Sequence, residues 1–218
     1  MAAFARAHVE GADGIELDVR LCATGEVVVF HDPDLSRATN ERDARRVCDV
    51  SWSELAKISL FGSDARIPRL AEVLDFCGSR DMWLNVEVKY DVPDKLALAR
   101  AVAHELSESH DHLVVSSFDP RLLVAMRAMG LHGERAWLTD QGQKNVALLL
   151  PLVRRPFVHG AHLNRAQATP SRVAEMRRRG LFVGVWTVND PAEAKALSAL
   201  GVRFIITDAP KVVRESIG

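Results

Sequence analysis

Cysteine is scarce in this chain. Cys22, Cys48 and Cys77 make an odd total, and no two of them form a C-x-x-C pair. That pattern argues against a disulfide framework and a structural zinc site, and it fits a reducing, cytoplasmic setting. Long apolar runs are also lacking. No stretch approaches the roughly 18 consecutive apolar residues of a membrane span, and the N-terminal stretch has no apolar core of the kind a secretory signal carries. A charge surplus is missing too. The net charge is −1 and the isoelectric point is near 6.7, which gives no electrostatic case for nucleic acid or an anionic membrane as partner. Arginine far outnumbers lysine, and this reads as compositional bias rather than a phosphate-binding surface.

What remains is a chain of 218 residues, 48% hydrophobic, able to bury a sizeable core. Barrels of alternating strands and helices often occupy about 200–250 residues as one unit, so residues 1–218 read as a single domain, with a hairpin and loop insertion over about 22–80. Residues 1–8 (MAAFARAH) are helical in composition and stop at Gly11, with no N-cap and no preceding loop. The chain is therefore expected to start inside a helix. Strands are expected at 14–21, 83–89, 113–118, 135–139, 160–164, 181–188 and 203–208. A short arm at 27–30 returns from the turn at Thr24-Gly25 as an antiparallel hairpin. Helices are expected at 51–60, 69–77, 93–107, 119–129, 143–152, 170–179, 190–199 and from 209 onward. Setting the hairpin arm aside, that gives seven β units followed by helices, and this rhythm implies a parallel sheet one unit short of a TIM-type (β/α)8 barrel.

Two of these strands carry acids where a barrel strand is usually apolar. In 14–21 (GIELDVRL), Ile15, Leu17, Val19 and Leu21 point one way and Glu16, Asp18 and Arg20 the other. In 84–89 (LNVEVK), Asn85, Glu87 and Lys89 share the polar face. If the two strands are neighbours, Glu16, Asp18, Glu87 and Lys89 converge on one cavity. Clustered carboxylates repel and raise one another's pKa, and a divalent cation resolves the repulsion. Hard oxygen ligands suit Mg²⁺ or Ca²⁺. Lys89 offers a point charge to an anionic group, and His31, at the end of the hairpin, offers a general acid or base near neutral pH. A cation, a lysine and a histidine around one cavity suit phosphodiester cleavage.

Plainer readings stand beside these. The acids could form an exposed strand face or a buried salt-bridge network with Arg20 and Lys89, although buried charge without a cation is costly. His31 could cap the turn at Asp32-Pro33, Lys89 could simply pair with Glu87, and Phe118 and Trp186 could be core aromatics. His159 and His162 have an H-x-x-H spacing, but they lie where a loop enters a strand, which suits a surface position or a supporting place behind the ligands. The other histidines read as solvated. Arg177–Arg179 end a helix, where cations complement the helix dipole.

Taken together, the segments 11–19 (GADGIELDV), 29–32 (VFHD), 85–89 (NVEVK), Ile67-Pro68 before a leucine-rich helix, 116–118 (SSF), 185–189 (VWTVN) and 206–210 (ITDAP) resemble the glycerophosphodiester phosphodiesterases. The likeness runs in order from about residue 4 to 210. It implies a TIM barrel and metal-dependent hydrolysis of a small-molecule glycerophosphodiester to an alcohol and sn-glycerol 3-phosphate. Attack on phosphorus would come from cation-activated water or from the substrate's own glycerol hydroxyl. By position, the resemblance makes Glu16, Asp18 and Glu87 ligands of a divalent cation, His31 a catalytic histidine and Lys89 a phosphate contact. Phe118 and Trp186 would line the substrate pocket. It also implies a departure. The family opens with a strand ending His-Arg-Gly and a loop carrying Glu-Asn-Thr, and neither is present. That strand holds the second histidine of the catalytic pair. The expectation is either a sequence cut short or a degenerate relative, that is, a catalytically impaired fragment or pseudoenzyme. A barrel lacking strand 1 would expose two strand edges, inviting poor solubility, a rearranged gap, or pairing with another chain as in a homo-oligomer. A relative acting on lysophospholipids is a further alternative. Ala38 replaces a threonine the family favours, with Arg37 and Thr39 retained, and is expected to affect loop shape only.

Overall fold

The computed structural model describes residues 1–107, 112–140, 142, 153 and 156–218. The helix expected at 143–152 lies outside the described residues. The first helix, α1 (Ala2–Val9), ends where Gly11 turns left-handed at φ +85 and Ala12 donates its N–H back to Ala7. Among the described residues eight strands follow: β1 (Gly14–Leu21), β2 (Val27–Val29), β3 (Trp83–Val88), β4 (Leu113–Ser117), β5 (Glu134–Thr139), β6 (Gly160–Asn164), β7 (Phe182–Trp186) and β8 (Phe204–Ile205). They form one sheet in the order β2-β1-β3-β4-β5-β6-β7-β8. Among the strands of the described residues β1 and β2 pair antiparallel, across the turn at Gly25, and the other ladders are parallel. The sheet curls into a TIM-type barrel that is open at one seam. Among the described residues no ladder joins β8 to β1, so β8 pairs with β7 alone. The last two strands are shorter than the apolar runs suggest. Their backbone contact continues past the regular ladder, however, through bonds from Ile206 N–H to Val185 and from Val188 N–H to Ile206.

The described helices are α2 (Trp52–Leu55), α3 (Leu70–Gly78), α4 (Lys95–Glu105), α5 (Pro120–Ala128), α6 (Pro170–Arg178), α7 (Pro191–Ala199) and α8 (Pro210–Ile217). Several begin with one local device, a capping side chain followed by proline at the first helical position. Asp119 accepts from the Arg121 N–H at 3.1 Å, Thr169 from Arg172 at 3.3 Å and Asp190 from Ala192 at 2.7 Å. These starts stop each strand-to-helix loop within a few residues, which fixes what projects from the strand ends. Ile15, Leu17 and Val19, with Leu84, Val86 and Val88, bury their side chains in the main core, which also takes in the buried faces of α3, α4, α5, α6 and α7. A second, smaller cluster of Cys22, Val28, Leu35, Val47, Val50, Leu55 and Ile67 supports the hairpin and the segment after it. No helix among the described residues is long and apolar enough to cross a membrane.

The barrel interior is polar toward the strands' C-terminal ends and aromatic toward the other end. There the Arg203 guanidinium lies 4.9 Å from the Trp83 ring, 5.0 Å from Phe182 and 4.8 Å from Phe204, and it pairs with Glu134 at 2.8 Å. Gly160 makes room for this plug, since a Cβ there would run into the Phe182 ring. Gly160→Ala is expected to cost about 1–3 kcal/mol by overpacking, read as a lower denaturant midpoint. An unchanged midpoint would contradict this packing.

Candidate active site

The parallel register of β1 and β3 sets Glu16 opposite Asn85 and Asp18 opposite Glu87. Because side chains alternate along a strand, Glu16, Asp18 and Glu87 all project into the barrel. One carboxylate oxygen from each lies within 4.8 Å of the others. Lys89, two residues after Glu87, places its Nζ 2.7 Å from Asp18 Oδ1 and 2.7 Å from Glu87 Oε1. Glu87 and Lys89 are both buried. Desolvation, with Asp18 and Glu87 close by, pushes the Glu16 carboxyl up to about 8. Burial likewise raises Glu87, against the pull of Lys89. Burial works against the charge on Lys89, but Glu87 and Asp18 outweigh it and hold the ammonium more firmly than usual.

The salt-bridge reading is therefore realised in part, because Lys89 does bridge two of the acids. It does not balance the site. Three carboxylates face one ammonium, and Arg20 does not join them. Arg20 instead donates to the His31 carbonyl at 3.0 and 2.7 Å and to Asp91 at 3.0 and 2.9 Å. The surplus of carboxylates over cationic groups, the all-oxygen donor set and two rigid strands beneath it fit a divalent cation. No other such group of potential ligands occurs among the described residues.

His31 sits over this cavity because the hairpin is tied down at several points. The Phe30 N–H donates to the Asp18 carbonyl at 2.9 Å, the Val29 N–H donates to Pro68 at 2.9 Å, and buried Arg20 grips the His31 carbonyl. The imidazole is 64% exposed, with Nδ1 2.7 Å from Asp32 Oδ1. Arg37 donates to the other oxygen of Asp32 at 2.6 Å. Burial alone would raise the Asp32 carboxyl, but the hydrogen bonds from Arg37 and His31 prevail and hold it below its ordinary range. An ionised Asp32 then fixes the ring through one nitrogen.

Phe118 and Trp186 are partly exposed at the mouth, with ring centroids 5.7 Å apart, edge to face. Tyr90 extends the row, 5.9 Å from Phe118, with Lys95 Nζ 5.6 Å above its ring. Sequence reasoning missed Tyr90, although it is the chain's single tyrosine and follows Lys89 directly. It also missed the clamp made by Arg20, whose place on the acids' face was the available signal. The H-x-x-H pair behaves differently from a surface motif. His159 Nδ1 accepts from the Arg135 N–H at 3.1 Å, while His162 is fully buried on β6. Burial, not exposure, is the outcome for His162, because Gly184 across the ladder opens space for its ring. Of the arginine run, Arg177 donates to the Leu200 carbonyl at the end of the neighbouring helix α7 at 2.9 Å, and Arg179 donates to the Glu175 carboxylate at 2.9 Å.

Acids, a lysine and a histidine gathered at the C-terminal mouth of a β/α barrel place the protein among barrel enzymes acting on anionic esters. The chain belongs to the glycerophosphoryl diester phosphodiesterase family, whose model matches residues 1–212. It is 30% identical over 223 residues to a glycerophosphodiester phosphodiesterase from Caldanaerobacter subterraneus subsp. tengcongensis, covering 98% of this chain and 89% of that protein. The crystal structure of a glycerophosphodiester phosphodiesterase from Thermotoga maritima matches with a TM-score of 0.80 and 28% identity, over 98% of this chain and 89% of that one. An Oleispira antarctica phosphodiesterase, solved with its product sn-glycerol-3-phosphate, shares the fold with a TM-score of 0.83 at 23% identity, over 98% and 90% of the two chains.

Proposed function

We propose that this phosphodiesterase hydrolyses glycerophosphodiesters to sn-glycerol 3-phosphate and an alcohol with the help of a divalent cation, Mg²⁺ or Ca²⁺. The observation that carries this reading is the convergence of Glu16, Asp18 and Glu87 beside Lys89, a site with too few cations of its own. Those three carboxylates would hold the ion. When bound, the ion offsets charge on the phosphodiester and polarises it. Lys89, drawn less strongly to neutralised acids, donates to a phosphate oxygen. His31, steadied by Asp32, delivers its proton to the leaving alcohol as the phosphorus–oxygen bond breaks, and the attacking oxygen bonds to phosphorus and releases its own proton to solvent. Phe118 and Trp186 flank the organic part of the substrate. The product held by the Oleispira protein supports sn-glycerol 3-phosphate as the released ester.

Residues 1–218 are read as one catalytic unit working in the cytoplasm, where free Cys22, Cys48 and Cys77 stay reduced. The open β8 edge is a surface through which copies would pair as a homo-oligomer. The test is release of glycerol 3-phosphate from glycerophosphocholine, with and without a chelator. Chelator-sensitive release is expected. Preferential turnover of a lysophospholipid would move the substrate class. Cation binding without turnover of either would make the chain a non-catalytic relative.

A further inference from the structure

Beneath the carboxylates lies a set of polar groups that the reaction does not use. His162 Nδ1 and Nε2, Ser116 Oγ and both amide atoms of Asn85 are buried and have no hydrogen-bond partner among the described residues. A buried polar group left unpaired costs about 1–3 kcal/mol, so several in one place call for an explanation. Their location supplies one. Asn85 stands opposite Glu16 in the β1–β3 ladder, and Ser116 stands opposite Glu87 in the β3–β4 ladder. In an eight-stranded barrel of shear eight, each strand is staggered by about one residue against its neighbour, and alternate strands contribute to one layer. Stepping the ladders on that stagger puts Glu16, Ser116 and His162 in a single layer.

The sequence also gives up a side chain to seat the histidine. A Cβ on Gly184 would lie 2.5 Å from His162 Cδ2 and 2.9 Å from Nε2. Glycine inside a strand weakens it, and a smaller apolar residue at 162 would have removed the need. Trp186 further anchors this stretch by donating to the His162 carbonyl at 3.2 Å. Full burial lowers the imidazole pKa to about 4, so the ring is neutral in the physiological range and adds no positive charge beneath a cation. A neutral imidazole offers one donor and one acceptor, a hydroxyl offers both, and an amide offers both. That inventory suits ordered water rather than an ion.

We propose that His162, Ser116 and Asn85 form a polar floor that positions Glu16 for the cation through buried water, making them positioning residues. The inference rests on the cation reading above. Groups that orient metal ligands from behind typically change affinity by about 10–100-fold when removed.

The experiment is calorimetric titration of Mg²⁺ and of Ca²⁺ into the whole chain and its variants, with thermal melts recorded without added cation. His162→Leu is expected to bind the cation about 10–100-fold more weakly, yet to melt at about the same temperature, since an apolar side chain fills the same buried space and needs no polar partner. A purely structural histidine predicts the reverse, a lower melting temperature with affinity intact. His162→Asn, which keeps a donor and an acceptor, is expected to recover much of the loss, and Ser116→Ala to weaken binding by a smaller factor. Glu16→Gln is the control. If it removes binding while His162→Leu and Ser116→Ala leave affinity unchanged, the floor is wrong and the cation site stands. If Glu16→Gln also leaves binding untouched, or nothing binds, the cation reading fails and the floor with it. Should His162→Leu not fold, Ser116→Ala and Asn85→Ala decide, and unchanged affinity in both overturns the proposal.

Discussion

His31→Ala is expected to lower turnover of glycerophosphocholine by about 10²–10⁴-fold, the usual worth of a positioned general acid or base. The fall should appear in kcat with little change in KM. His31 is mostly exposed and its side chain bonds to Asp32, so it contributes little to holding the ground state. The loss should also depend on the alcohol. An alkyl alkoxide needs a proton as it departs, whereas a nitrophenolate does not. A nitrophenyl ester of glycerol phosphate is thus expected to recover most of the rate in His31→Ala. Equal loss with both substrates would assign the histidine to another step, and no loss with either would remove it from the chemistry. Asp32→Asn is expected to fall between wild type and His31→Ala, because Arg37 then loses its charged partner and the ring loses its fixed orientation.

The part of this site that could be read from sequence is the part set by strand alternation. Period two in 14–21 and 84–89 put Glu16, Asp18 and Glu87 on the faces opposite Ile15, Leu17 and Val86. The parallel β1–β3 ladder then sets Asp18 directly opposite Glu87. The helices expected at 119–129 and 190–199 begin at Asp119-Pro120 and Asp190-Pro191, caps that are local in sequence and need no tertiary partner. What could not be read depends on contacts distant in sequence. Arg20 shares the acids' face, but its partners lie eleven residues away at His31 and seventy-one away at Asp91. No period reveals that it fastens the hairpin rather than the acids. The sequence left His162 open between a surface and a supporting position, because its burial depends on a glycine in the next strand, Gly184, which carries no signal until the β6–β7 register is known. The short β8 was overestimated because an apolar run records burial, not pairing, and among the described residues β8 pairs only with β7, at Phe204 and Ile205.

Cation affinity is expected to climb about tenfold per pH unit between pH 6 and 8 and then level off, as proton-competitive ligation requires. The sign follows from Glu16. Its carboxyl is pushed up to about 8 by desolvation and by Asp18 and Glu87, so below that pH the cation-free protein holds a proton where the ion must bind. Ligation expels the proton, and titrations at pH 7 in buffers of different ionisation enthalpy should show about one released per ion. Stability without the cation should run the other way. An unfolded chain gives up this proton in the ordinary carboxylate range, near pH 4.3. The folded state gives it up only near 8, so raising the pH across that interval penalises the fold. The melting temperature of the cation-free protein is therefore expected to drop from pH 5 to pH 8, and saturating cation should erase most of the drop. Glu16→Gln should flatten the stability curve, leaving the contribution of Glu87, which is also raised. Affinity that stays level from pH 6 to 8 would mean that the three carboxylates are already ionised together, with Lys89 alone sufficient to keep them so.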